Sequence, residues 1–381
     1  MSSWKECKLG DIAEINMGQS PKSEFYNQDK IGLPFLQGNR TFGLKYPYFD
    51  TYCSEPTKIA KHGEILFSVR APVGDINIAN DEICIGRGLC SINSKDKNNE
   101  FLYYLLHFLK NEIINNESGS VFGSINRTDL SNINVLYPPI EEQKAIAEVL
   151  SSLDDKIDLL HRQNQTLESL AQTIFRQWFI EEAKEEWEEV LITDLFEVRD
   201  GTHDSPKQKE FGKKLLTSKH ILKNKLDFES SYFISEEDFE KINQRSVVEQ
   251  GDILFSMIGT IGLTYLEQSN EIDYAIKNIG LFKTSQNKKF MYFVYLWLNS
   301  SFGVEFIHEN RSGSTQEYIS LGSLRNIIFN LPNYKIIDLF NEKMEPIFEK
   351  INTNMKQIKS LENLRDTLLP KLFSGEVRVE I

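Results

Sequence analysis

The chain repeats itself once, and no other feature of the sequence constrains its fold so tightly. Residues 1–181 recur in order as residues 184–375. Trp4…Leu9-Gly10-Asp11-Ile12-Ala13-Glu14-Ile15…Gly18 returns as Trp187…Ile192-Thr193-Asp194-Leu195-Phe196-Glu197-Val198…Gly201, a shift of 183. Gly63-Glu64-Ile65-Leu66-Phe67-Ser68 returns as Gly251-Asp252-Ile253-Leu254-Phe255-Ser256, shifted by 188. Phe101-Leu102-Tyr103-Tyr104 reappears as Phe290-Met291-Tyr292-Phe293 with a shift of 189, and Gly119-Ser120…Leu130…Asn132-Ile133 as Gly313-Ser314…Leu324…Asn326-Ile327 with a shift of 194. An offset that only grows places insertions in loops between preserved elements, so the chain is a tandem duplication.

Each half opens on short strand-like runs, such as residues 64–69 and 253–257, punctuated by Gly, Pro and Asn. That texture predicts mixed α/β domains over residues 1–140 and 186–335. The apolar runs 101–110 and 290–298 read as buried helices, although central strands can be as dense. Each half closes on a helical segment, 141–185 and 336–381 with its tail, entered after Pro138-Pro139 or Pro332. The expected fold class is α+β: two mixed α/β domains separated by two long helices.

A 4-3 spacing of core positions runs through Ile146, Leu150, Leu153, Ile157, Leu160, Asn164, Leu167, Ala171, Ile174 and Trp178. Adding 194 gives the second seam: Phe340, Met344, Ile347, Ile351, Asn354, Ile358, Leu361, Arg365, Leu368 and Leu372. These are coiled-coil heptads, and two such stripes would be unstable apart. A parallel pairing in register would set Asn164 against Ile358 and Asn354 against Leu160, leaving both amides against hydrocarbon. An antiparallel pairing of residues whose numbers sum to 518 joins Asn164 to Asn354, Ile146 to Leu372 and Trp178 to Phe340. The expectation is an antiparallel coiled coil, and hence a pseudo-twofold tandem repeat. Forty helical residues would span roughly 60 Å. Arg365, opposite Leu153, and Pro346, where a kink or late helix start is expected, depart from the pattern.

At 381 residues and 44.1 kDa the chain has room for two or three domains. The opening MSSWKECKLG lacks the apolar stretch of a signal peptide, and the apolar run 290–298 is about half a membrane crossing, which predicts a cytoplasmic protein without a membrane partner. Cys7, Cys53, Cys84 and Cys90 form no CxxC pair, which predicts a reduced compartment and no metal. The net charge of −13 argues against a phosphate-rich partner until its distribution is considered. Residues 141–186 hold 11 acidic and five basic side chains, a balance of −6. Lys207, Lys209, Lys213, Lys214, Lys219, Lys223 and Lys225 stand against the single acid Glu210, and such a face can bind DNA on an acidic protein.

The segment Pro138-Pro139-Ile140-Glu141-Glu142-Gln143-Lys144-Ala145-Ile146-Ala147 resembles the helix entry of the specificity subunits of type I restriction-modification systems. Trp4-Lys5…Leu9-Gly10-Asp11-Ile12-Ala13 resembles their N-terminus, and Leu372-Phe373-Ser374-Gly375-Glu376-Val377-Arg378-Val379 their C-terminus. In the second half the helix entry is degraded to Leu331-Pro332-Asn333-Tyr334. The resemblance implies two target recognition domains that each read one half of a split, asymmetric site in double-stranded DNA, with the helices as a ruler. It also implies two modification subunits that carry S-adenosylmethionine, with no cofactor on this chain, and restriction subunits that cleave. Catalysis then belongs to the partners.

Arg, Lys, Asn and Gln read base edges best, while phosphates are met by cations and backbone amides. In the first domain such residues gather at Gln19, Lys22, Gln37, Asn39, Arg40, Arg70 and Arg87; in the second at His203, Lys219, His220, Lys277, Asn278 and the stretch from Arg311 to Thr315. Each is also an ordinary surface or turn residue. An enzyme acting alone would need other motifs: Tyr137-Pro138-Pro139-Ile140 lacks the leading Asn or Asp of an adenine methyltransferase, and GxxxxGK[ST] is absent. Asp75, Asp81 and Glu82 offer no nuclease arrangement, and His62, His107 and His161 lie far apart. A coiled-coil scaffold without DNA, or a subunit of another bipartite-site complex, fits the pattern as well.

Overall fold

The computed structural model describes residues 4–115, 123–313 and 316–380; Gly119, Ser120, Ser314 and Thr315 lie outside them. The chain divides into two compact units, Met1–Leu159 with Gln357–Ile381, and Leu160–Lys356.

In the first unit an antiparallel sheet orders its strands Ala13–Met17, Leu89–Ser94, Ile65–Ser68, Ile76–Ile78. A second sheet contains the parallel pair Leu33–Leu36 and Ile83–Ile85, while Lys5–Lys8 pairs with Asn134–Tyr137. The second unit repeats this plan: Val198–Asp200, Ile279–Phe282, Ile253–Ser256, Thr264–Leu266 in one sheet, Lys213–Thr217 parallel to Tyr274–Lys277 in another, and Glu188–Leu191 with Ile328–Leu331. The dense runs are helices, Asn99–Asn115 and Met291–Leu298. Each packs its apolar face on a sheet, Tyr104, Leu105 and Leu106 beside Ile65, Phe67 and Ile92 in one unit, Phe293 and Val294 beside Ile253 and Phe255 in the other.

The long helices are Ile140–Arg176, followed by a single π turn Gln177–Glu181, and Tyr334–Phe373. Within each unit they run antiparallel. Ile146 and Leu150 share a core with Leu372 and Phe373 in the first unit, and in the second the rings of Trp178 and Phe340 lie 5.9 Å apart. Asn354 Nδ2 donates to Asn164 Oδ1 at 2.8 Å, and both residues are buried. Burying an aliphatic side chain contributes about 1.5–3 kcal/mol, against about 0.5–1.5 for a satisfied hydrogen bond. The apolar layers therefore supply the stability and the Asn layer supplies the register.

The two departures resolve differently. Pro346 does not delay the helix, which starts at Tyr334 and passes through. Pro346 faces solvent between buried Met344 and Ile347, so the carbonyl it leaves without a partner is on the wet side. Arg365 reaches past the seam to Asp154, Nη1 to Oδ1 2.9 Å, and Asp154 Oδ2 accepts the Tyr104 hydroxyl at 2.7 Å. Burial, and then Lys110, hold the nearby His107 imidazole down to about 4. All the motifs that carry the family resemblance meet at the first helix entry. Trp4 Nε1 donates to Glu142 Oε2 at 2.8 Å, Arg378 Nη1 donates to both Glu142 oxygens at 2.7 and 2.9 Å, and the guanidinium stacks 4.8 Å over the Trp4 ring.

Two outcomes follow for the folded chain. Asn354→Leu strands the Asn164 amide and should cost about 1–3 kcal/mol, read as a lower melting temperature, while Asn164→Leu/Asn354→Leu together should recover most of it. The unfolded chain protonates His107 near its ordinary 6.5 and the folded chain only near 4, so stability should decline as pH falls through that window and level off below it. His107→Phe, set edge-on to Tyr103, should flatten that part of the melting-temperature profile.

Candidate nucleic-acid interface

Strand direction decides where the candidate residues go. The parallel pair sends Leu36 and Ile85 out at the same sheet edge, which places Gln37 beside Gly86. The antiparallel register sets Met17 against Cys90 and Ser68 against Leu89, so these strands end at that edge too. Four strand ends therefore open on one corner, formed by residues 18–22, 37–40, 69–70 and 86–88. Backbone bonds lock it: Gly18 N–H to Leu89 O 2.9 Å, Gln19 N–H to Ile85 O 3.0 Å, Gly88 N–H to Gln37 O 3.1 Å and Val69 N–H to Gly88 O 2.9 Å. A Cβ on Gly18 would lie 2.2 Å from Gly86 O, so only glycine lets the strands close.

The second unit builds the same corner. Gly201 N–H donates to Ile279 O at 2.9 Å, Thr202 N–H to Ile276 O at 3.0 Å and Asn278 N–H to Thr202 O at 3.2 Å. A Cβ on Gly201 would stand 2.4 Å from Ile276 O. Ser68 and Ser256 shape the adjoining loop alike: each buried hydroxyl donates to a carbonyl, Pro72 or Thr260, and accepts an amide, Asp75 or Leu263.

Gln19, Lys22, Gln37, Asn39, Arg40, Arg70 and Arg87 all border the first corner. Several arrive already engaged. Arg40 pairs with Asp50 at 2.8 Å, Lys22 with Glu24 at 3.4 Å, and Asn39 Nδ2 donates to Asp75 Oδ2 at 2.6 Å. Ser20 Oγ accepts the Arg87 amide at 3.2 Å and donates to Gln37 Oε1 at 2.9 Å. Arg70 and Arg87 are exposed and form no ion pair among the described residues.

At the second corner the exposed His203 bridges Asp200 and Asn278, Lys277 Nζ donates to Ser205 Oγ at 2.6 Å, and Lys219 stands in solvent. Arg311 lies on the hairpin formed by Arg311–Ser312 and Tyr318–Ile319, paired with Glu317 at 3.2 Å. The expectation for His220 needs correction. It is 1% exposed, its Nδ1 accepts the Thr217 amide at 2.8 Å, and burial followed by Lys219 lowers its pKa, so it caps a turn and cannot reach a base. The lysine run is not one basic face either. Lys213 and Lys214 lie over the rings of Phe239 and Phe233, and Lys223 and Lys225 line a cavity of about 220 Å³ beside Glu168 of the first long helix.

Sequence reasoning missed Arg245, which ion-pairs with Asp200 from the helix Glu236–Ser246; Ser218, in the candidate loop of Lys219, donates its Oγ to Asn278 O at 2.5 Å. Nothing in a linear pattern joins a helix to a strand end 45 residues away. Among the described residues no three His, Cys, Asp or Glu are grouped to hold a metal, and no helix is long and apolar enough to cross a membrane. What the corners offer is hydrogen-bonding side chains on a rigid frame, the equipment of recognition.

A twice-built α/β domain with such corners, tied by antiparallel helices, defines a duplicated recognition protein. The model of the type I restriction modification DNA specificity domain matches residues 1–169 and again 184–363, and the chain belongs to that family. It is 27% identical to the type I restriction enzyme MjaIX specificity subunit of Methanocaldococcus jannaschii, over 99% of this chain and 94% of that one. The HindI specificity subunit of Haemophilus influenzae is 23% identical over 99% of this chain and the whole of its own length. A stretch of 175 residues is 43% identical to the putative MjaX specificity subunit of M. jannaschii, covering 45% of this chain and 41% of that relative. The crystal structure of the S subunit of a type I system from M. genitalium shares the fold, with a TM-score of 0.59 at 17% identity over 97% of this chain and 96% of that one.

Gly201→Ala drives a methyl group into a backbone carbonyl with no flexible neighbour to yield. It should open the second corner and lower the melting temperature, while Gly18→Ala should do the same to the first corner. Thermal melting measures both effects.

Proposed function

We propose that this chain is the sequence-reading subunit of a type I restriction-modification complex, with each corner reading one half of a bipartite, asymmetric site in double-stranded DNA. The observation that carries this reading is one frame built twice with different side chains at equivalent positions. Gln37, Gly38, Asn39 and Arg40 leave the first parallel strand where Thr217, Ser218, Lys219 and His220 leave the second. Equal frames with unequal side chains suit two different base sequences.

The chain itself carries out no chemistry in this reading. Modification subunits supply S-adenosylmethionine and methylate adenine, restriction subunits cleave, and the complex works in the cytoplasm. The long helices support a pair of modification subunits as partners. Ile140 and Tyr334 are exposed by 37% and 62%, Leu170 and Leu364 by 47% and 46%, and each couple is related by the same repeat offset of 194. Apolar groups exposed at repeat-equivalent places suit two copies of one protein.

The decisive experiment replaces residues 186–335 with the matching segment of a specificity subunit of different target, expresses it with the modification subunits, and maps methylated adenines by long-read sequencing. One half of the methylated motif should change and the other should persist. An unchanged motif, or methylation without sequence preference, would overturn the reading. Leu170→Glu with Leu364→Glu should weaken assembly with the modification subunits at least tenfold while leaving the melting temperature of the chain alone unchanged.

A further inference from the structure

The residue two places beyond the corner glycine plays the same part in both halves. After Gly18 comes Ser20, whose Oγ donates to the Gln37 side-chain amide at 2.9 Å. After Gly201 comes His203, whose Nδ1 lies 2.7 Å from Asn278 Oδ1 and whose Nε2 lies 2.9 Å from Asp200 Oδ2. In each domain this position grips an amide side chain at the corner, with a hydroxyl in one and an imidazole in the other.

We propose that His203 is a positioning residue that, braced by Asp200, orients the Asn278 carboxamide for reading a base edge in the second half-site. The inference rests on the DNA-reading function proposed above and assigns a role within it. A carboxamide has a donor at one end and an acceptor at the other, and base edges in the major groove differ in that pattern. An amide free to turn over offers either end and discriminates poorly. An amide tied by one end offers only the other.

Everything around Asn278 is fixed so that this tie decides the outcome. Its backbone is left-handed at φ 52°, its N–H donates to Thr202 O at 3.2 Å, and its carbonyl accepts Ser218 Oγ at 2.5 Å. Ser218 Oγ in turn accepts the Met257 amide at 3.1 Å. Asp200, the brace, is 3% exposed on its strand and held by Arg245. Each ring nitrogen of His203 thus faces a partner. A ring that donates from Nε2 to Asp200 leaves Nδ1 to accept the carboxamide N–H of Asn278, and a ring that donates from both nitrogens holds the carboxamide oxygen. In either form one end of the amide is tied. The imidazole itself is accessible, with a side chain 66% exposed, yet both of its nitrogens face protein. A base-contacting histidine would need one of them.

The test uses the full chain co-expressed with its modification subunits in a host without competing methylation, with methylated sites mapped by long-read sequencing. Asn278→Ala should relax discrimination at one base pair of the second half-site, raising methylation of sites altered there about tenfold. His203→Ala should relax the same base pair, and the double variant should relax it no further. His203→Gln, whose amide can still engage Asn278, should restore part of the discrimination, and Asp200→Asn should reproduce the His203→Ala pattern if the alanine variant folds poorly. The first half-site should be untouched throughout. Relaxation at a different base pair, losses that multiply in the double variant, or a silent Asn278→Ala would overturn the proposal. The exchange of residues 186–335 judges the DNA-reading function separately, since it succeeds or fails whatever His203 does.

Discussion

Asn164 and Asn354 each stand where a heptad seam calls for hydrocarbon, and the bond between them fixes how the two long helices align. A run of Leu, Ile and Phe layers is nearly as content one heptad out of register, because one aliphatic layer resembles the next. Two amides in a dry seam tolerate only the alignment in which they meet. Once that layer is set, Ile146 joins Leu372 in one unit and Trp178 joins Phe340 in the other. Each unit then completes its core with segments of both helices, so neither domain owns a helix of its own.

The corners depend on a second constraint, the mixing of strand directions. A purely antiparallel sheet would distribute its loops between two ends. Adding one parallel pair in each domain brings an extra strand end to the edge where the antiparallel strands already finish. Glycines at the crossing let backbones touch, and the buried hydroxyls of Ser68 and Ser256 tie down the neighbouring loop. The frame is therefore made almost entirely of backbone and small residues, and the side chains projecting from it can differ between the halves without disturbing it.

The duplication, the heptads and the antiparallel register were all legible in the sequence, since each is a matter of period or of one polar residue in an apolar series. The Arg365 departure was visible but its answer was not: Asp154 is off the seam, and only the turn of the helix shows that the guanidinium can reach it. The candidate loop residues border the two corners, and the one whose burial contradicts the expectation is His220. His220 looks like a polar loop residue in sequence, and only its tucked ring, capping Thr217, shows that it faces inward. The lysine run failed for a related reason, because spacing along a chain of short strands and turns says little about which cations share a face. Gln143 holds its helix entry through the Pro138 carbonyl at 2.9 Å, a bond the sequence did not announce.

Three cations of the corners are ion-paired before any ligand arrives, Arg40 with Asp50, Lys22 with Glu24 and Arg311 with Glu317, while Arg70, Arg87 and Lys219 are exposed without an ion pair among the described residues. In the proposed reading, a paired cation gains less from a phosphate than a free one, because the new contact displaces an existing one. The free cations Arg70, Arg87 and Lys219 can then meet phosphate directly, while the paired ones exchange one partner for another. The acidic excess, concentrated on residues 141–186, stands apart from these cations in the chain, so the proposed fidelity is drawn from the few side chains that a correct sequence can satisfy.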